Sequence, residues 1–116
     1  MTDRPTVAYK VLTDQQMRDL EVDRFKGAPV DLADGYIHLS TSQQLTETVA
    51  KHFAGQENLH VAAIDLEALG NSVKWEESRG GQLFPHIYGT LPLEVVIAYG
   101  PLERDDRGAV RLPVAG

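Results

Sequence analysis

The chain is 116 residues long, 42% hydrophobic and 24% charged; these near-average values predict one globular domain over residues 1–116 and exclude a disordered or fibrous chain. Folding at this size takes roughly two-thirds of the extended chain's surface out of water, enough for a single core without a disulfide or structural metal. A formal charge of −6 argues against duplex nucleic acid and anionic membranes as partners, and the lack of cysteine excludes disulfide frameworks, thiolate metal sites and cysteine nucleophiles.

In chain order, Thr6 to Leu12 combines apolar and β-branched residues and predicts a first strand. Thr13 or Asp14 then caps a short helix carrying Met17 and Leu20 that ends near Phe25-Lys26-Gly27. Ala28 to Gly35 holds a proline, two aspartates and a glycine, which predicts a loop with a tight turn at Asp34-Gly35. Tyr36 to Ser40 follows as a strand. Thr41 and Gln44 have capping-box spacing, and Leu45, Val49 and Phe53 recur at helical intervals until Gly55 stops a second helix. Leu59 to Leu66 and Val73 to Glu77 are strands, separated by a turn at Ala68 to Asn71. Ser78 to Gln82 is a flexible connector, and Phe84 to Gly89 resumes extended structure. Leu93 to Tyr99 is the most apolar segment and is expected at the centre of its sheet. The tail carries a solvated turn at Glu103 to Gly108 and an edge strand at Ala109 to Leu112. The class is α+β, built on a small antiparallel β-structure with two main helices. Met1-Thr2-Asp3-Arg4-Pro5 starts without an apolar signal segment and no apolar run reaches membrane-spanning length, so the expected location is the cytoplasm.

Two stretches carry chemistry. Strand alternation from Tyr36 to Ser40 sends Ile37 and Leu39 to the core and leaves Tyr36, His38 and Ser40 on the other face, beside Asp34 and ahead of a helix start at Thr41-Ser42. A phenol, an imidazole and hydroxyls along one surface suit a small anionic ligand. The alternative is a satisfied sheet surface in which Ser40 and Thr41 only cap. The second stretch, residues 74–89, gathers the single tryptophan, Glu76, Glu77, Arg79, His86 and Tyr88 around Gly80-Gly81. Such density of functional groups in a loop-rich segment favours a site, because mobile polar backbone costs stability. Trp75 itself reads as core. Metal spacing is absent: there is no H-E-x-x-H pair, His52 suits the end of a helix dipole, and His60 reads as exposed. Nor is there a Gly-x-Ser-x-Gly elbow, a Gly-x-Gly-x-x-Gly turn or a Walker loop.

The words Asp34-Gly35-Tyr36-Ile37-His38-Leu39-Ser40-Thr41, His52-Phe53-Ala54-Gly55, Lys74-Trp75-Glu76, Ser78-Arg79-Gly80-Gly81 and Phe84-Pro85-His86-Ile87-Tyr88-Gly89 resemble the bacterial family called domain of unknown function 952. The resemblance runs from the first strand to about Pro101-Leu102 and brings no established activity. It does imply a fold similar to the ADP-ribosyltransferase type, a split and strongly bent β-structure with a cleft that holds NAD in enzymatic relatives. On that likeness His38-Leu39-Ser40-Thr41 resembles the early nucleotide-contacting element, and Tyr36, Phe84 or Tyr88 is the candidate for stacking on nicotinamide. Glu76 or Glu77 would be the ribose-directed glutamate, although neither copies the late motif.

Two function classes follow. In one, His38, Glu76 and Arg79 are catalytic and Asp34, Tyr36, Ser40, Thr41, Phe84, His86 and Tyr88 bind a nucleotide-like or ADP-ribose-containing ligand, with NAD as the candidate cofactor and ADP-ribosyl or 2′-phosphate transfer as the chemistry. In the other, the same cleft is a non-catalytic ligand-binding or protein-interaction module.

Overall fold

A computed structural model describes residues 4–113. The strand Val7–Leu12 (β1) leads into the helix Asp14–Glu21 (α1). Thr13 caps that helix reciprocally: its hydroxyl accepts from the Gln16 N–H at 3.2 Å, and the Gln16 side chain accepts from the Thr13 N–H at 2.9 Å. Met17 and Leu20 point from it into the core. The helix stops at Val22, before the expected end near Gly27, because Asp23 turns the backbone left-handed at φ 61°.

The segment expected to be a loop holds a short helix, Pro29–Asp34 (α2). Pro29 opens it with a φ already suited to a helix, the Asp31 carboxylate accepts the Ala28 N–H at 2.8 Å, and Gly35 closes it at φ 87°. The turn at Asp34-Gly35 is therefore the end of a helix. The strand β2 is confined to Ile37–His38, with Ser40 reached through an isolated bridge to Tyr9. After a turn comes Leu45–His52 (α3), then His60–Asp65 (β3), Leu66–Leu69 (α4), Val73–Glu77 (β4), Leu83–Ile87 (β5) and Val96–Pro101 (β6). At the start of α3 the Gln44 side chain accepts the Thr41 N–H at 3.0 Å, one half of the expected capping box.

The strands form two antiparallel sheets of three, ordered β1-β3-β6 and β2-β5-β4. The isolated Tyr9–Ser40 bridge, with bonds of 2.7 and 2.9 Å, ties β1 of the first sheet to the chain just after β2 of the second. The predicted α+β class with split antiparallel strands and two main helices is what is found, with α2 and α4 as short additions. The central strand is β3, not the segment after Leu93. Val61, Ala62, Ala63 and Ile64 are all buried, which only a strand covered on both faces allows. Residues Leu93–Val95 instead form a 3₁₀ turn, and β6 lies at the sheet edge with Ile97 and Tyr99 exposed. The expected last strand reduces to one bridge, Arg104 to Val110.

Two apolar clusters flank the first sheet. Ala8, Leu12, Ala62 and Ile64 pack with Met17, Leu20, Ile37 and Ile87 between the sheets, while Val11 and Val61 meet Leu45 and Val49 of α3 on the far side. Each fully buried Leu or Ile in these clusters contributes about 1.5–3 kcal/mol. No helix among the described residues is long and apolar enough to cross a membrane.

Candidate functional site

The second sheet sorts its side chains by parity. Register pairs Ile37 with Ile87, His38 with His86, Val73 with Ile87 and Lys74 with His86. Ile37, Ile87 and Val73 therefore share the core face with partly buried Trp75, and Tyr36, His38, Lys74, Glu76, His86 and Tyr88 share the opposite face. Three strands thus deliver a phenol pair, two imidazoles, an amine and a carboxylate to one surface.

On that surface the rings are in contact. Tyr36 stacks on His86 with centroids 4.2 Å apart, leans on His38 at 4.7 Å and lies 5.2 Å from Tyr88. The two imidazoles meet edge to face at 5.3 Å. Lys74 places its ammonium over the Tyr88 ring at 4.8 Å.

Each histidine is oriented by carboxylate. His38 Nδ1 bonds Asp31 Oδ1 at 2.7 Å and its Nε2 bonds Asp34 Oδ2 at 3.0 Å. Ionised carboxylates only accept, so each contact is a hydrogen bond donated by the ring nitrogen that faces it. His86 is buried, and its Nδ1 donates to Glu76 Oε1 at 2.8 Å. In the neutral ring that leaves Nε2 with the lone pair. Tyr88 donates its hydroxyl to the same Glu76 oxygen, also at 2.8 Å. The His86 hydrogen bond, then that of Tyr88, holds the Glu76 carboxyl below the ordinary carboxylate range, and the same carboxylate pushes the Tyr88 phenol up to about 12. Burial, then the charges of Asp34 and Glu76, raises Tyr36.

Asp31 anchors the arrangement from below. It lies 2.9 Å from the Lys10 ammonium, with side chains only 1% and 7% exposed, and it also accepts the backbone N–H groups of Ala28 and His38. Burial alone would raise its carboxyl; the His38 hydrogen bond, the Lys10 charge and the Ala28 N–H outweigh that and bring it down to about 2. Burial lowers Lys10, against the opposing pull of Asp31. Lys10 also donates to the His38 carbonyl at 3.0 Å, fixing the strand that carries the imidazole.

A cleft of about 790 Å³ runs beside this cluster, lined among others by Asp34, His38, Ser40, Phe84 and His86, with Lys51 and His52 of α3 also on its wall. The volume lies within the range of sites for small molecules and cofactors. Of the expected site residues, Asp34, Tyr36, His38, Glu76, His86 and Tyr88 converge on one cluster, and Ser40 and buried Phe84 continue the cleft wall. The Ser40 hydroxyl bonds that of Thr48 at 2.8 Å. Thr41 is buried and borders a separate depression next to Trp75 and Leu83. Arg79 begins a turn, and its side chain lies outside the described part of the structure. His60, expected to be exposed, is half-buried and paired with Asp14. Asp31 and Lys10 lie outside the set of site residues expected from sequence. The available signal was parity: Lys10 shares the core-facing slots of β1 with Ala8 and Leu12, where a lone lysine demands a buried acid.

Two solved structures similar to the chain are of protein CC0527 from Caulobacter crescentus. Its crystal structure is 44% identical and superposes with a TM-score of 0.83, covering 92% of this chain and 95% of that one. Its solution NMR structure, 44% identical over 91% of each chain, gives a TM-score of 0.76. No curated protein matches the chain at a significant level. The profile described as "Protein of unknown function (DUF952)" matches residues 11–99, and the chain belongs to that family.

Proposed function

We propose that the cleft beside His38 and His86 binds a nucleotide-like ligand containing ADP-ribose, in the cytoplasm, on a fold of the ADP-ribosyltransferase type. The observation that carries this reading is the pair of carboxylate-oriented imidazoles on the cleft wall, both of them in contact with the Tyr36 ring. The His38 ring supplies an N–H donor for a phosphate oxygen, and aromatic faces suit a base or nicotinamide ring. Two antiparallel sheets of three strands, tied by the Tyr9–Ser40 bridge, support the fold assignment.

The chemistry that follows is transfer at a ribose carbon, or transfer of a 2′-phosphate from an RNA end. In ribosyl transfer from NAD the bond from C1′ to nicotinamide breaks, the electron pair leaves with nicotinamide, and an acceptor hydroxyl forms the new C1′–O bond. The hydroxyl proton passes to His86 Nε2, whose other nitrogen is held by Glu76. A non-catalytic binding role for the same cleft is favoured by one observation: Glu76 Oε1 is already engaged by His86 and Tyr88.

Calorimetric titration with ADP-ribose and NAD tests the binding claim, and nicotinamide or phosphate release tests the chemistry. Saturable binding to the cleft supports the reading, and its absence with both ligands refutes it. Turnover lost in Glu76→Gln selects the enzyme; binding without turnover selects the module.

A further inference from the structure

The two carboxylates on His38 are held very differently. Asp31 is buried and has four polar partners: the Lys10 ammonium, the Ala28 N–H, the His38 N–H and the His38 ring. Asp34 is 44% exposed at the end of α2, and His38 is its one hydrogen-bond or ion-pair partner among the described residues. The first contact builds the site. The second can open at little cost, because a partly exposed ion pair of this kind contributes little to stability.

Asp34 and His38 both line the cleft. The Asp34 carboxylate thus occupies Nε2 of the His38 ring, the one ring nitrogen that Asp31 leaves to a ligand. A phosphate oxygen binding there needs the same donor geometry and the same charge as the carboxylate it would replace. We infer that Asp34 is an intramolecular stand-in for an anionic oxygen of the ligand, and that binding exchanges the Asp34–His38 contact for a phosphate–His38 contact. This rests on the nucleotide reading of the cleft. Its consequence is that Asp34 sets affinity and selectivity: it competes with every anion at that position and repels it once displaced, so weakly held monoanions such as chloride or acetate are excluded. The ligand class selected is one that brings a diphosphate together with groups that stack on the aromatic rings.

Removing the competitor should tighten binding. Isothermal titration of the unmodified protein, Asp34→Asn and Asp34→Ala with ADP-ribose, and separately with inorganic pyrophosphate, reads this directly. The expected result is affinity for ADP-ribose about threefold to tenfold higher in both variants, the gain from removing a partly exposed ion pair and a nearby like charge. Pyrophosphate should gain by a similar factor. Glu67→Gln removes one negative charge on α4, away from the cleft lining, and should leave both affinities within about twofold, separating local competition from net charge. If the unmodified protein binds ADP-ribose and the Asp34 variants bind it equally or more weakly, or if Glu67→Gln gains as much as they do, the stand-in role is overturned while the nucleotide reading survives. If none of the proteins binds either probe, the nucleotide reading fails and takes this inference with it.

Discussion

Lys10 and Asp31 form a buried ion pair, 2.9 Å from Nζ to Oδ2, that lies directly beneath His38 and links β1 of the first sheet to α2. The other Asp31 oxygen takes the His38 ring nitrogen at 2.7 Å, so one carboxylate both neutralises a buried ammonium and aims the imidazole. Asp31→Asn leaves that ammonium without a counter-charge and is expected to lower stability by about 3–5 kcal/mol. Asp31→Leu combined with Lys10→Met replaces the pair by apolar side chains and should recover most of the loss. Urea denaturation of the single and double variants decides this, and a cost below about 1 kcal/mol for Asp31→Asn would show that the pair does not hold the site together.

Acid should expose the same carboxylate. Asp31 titrates at about 2 in the folded protein against an ordinary value of 3.8, so as pH falls the unfolded chain takes up this proton first. The associated stability is complete above the ordinary value, declines as pH falls toward the folded one, and amounts to about 2 kcal/mol. The urea midpoint between about pH 5 and pH 2 should therefore fall more steeply for the unmodified protein than for Asp31→Asn, which lacks the group. Equal slopes would contradict the assignment.

All four tyrosines are shifted upward, each for a local reason: burial for Tyr9, burial and two nearby carboxylates for Tyr36, and hydrogen bonds to Glu76 and Glu21 for Tyr88 and Tyr99. Absorbance titration of tyrosinate should accordingly begin above the ordinary value of 10.0, with the last component near 12. Glu76→Gln should bring that last component down and leave Tyr9 and Tyr99 in place. A late component that persists in Glu76→Gln would mean that another group raises Tyr88.

Tyr36 is the ring that both imidazoles touch, at 4.2 and 4.7 Å. Tyr36→Ala removes the stacking face and should weaken ADP-ribose binding about threefold to tenfold, whereas Tyr36→Phe keeps the ring and should stay within about twofold. A large loss in Tyr36→Phe would instead assign the hydroxyl as the ligand contact.

Strand parity made the site face legible in the sequence. Alternation from Tyr36 to Ser40 put Ile37 on the core face and His38 on the other, since a period of two survives wherever the opposite face packs on a core. A different signal, apolar content, misleads after Pro92. Apolar content put residues 93–99 at the sheet centre, but the central position goes to the strand that can be covered on both faces, which is β3. The segment rich in Pro, Asp and Gly, residues 28–35, reads as a loop in sequence because those residues favour turns. There Pro29, Asp31 and Gly35 act as the start, cap and stop of a six-residue helix. The convergence of Lys10, Asp31 and His38 joins residues 28 positions apart through tertiary contacts between β1, α2 and β2, which no local pattern encodes.

The most direct test of the central claim follows the imidazole nitrogens by long-range ¹H–¹⁵N NMR while ADP-ribose is added. His38 and His86 should shift saturably and together, with a single dissociation constant, while His60, paired with Asp14 and absent from the cleft lining, stays in place. Resonances of His38 and His86 that do not move at millimolar ADP-ribose, or that move no more than those of His60, would contradict the assignment of this cleft as a nucleotide site.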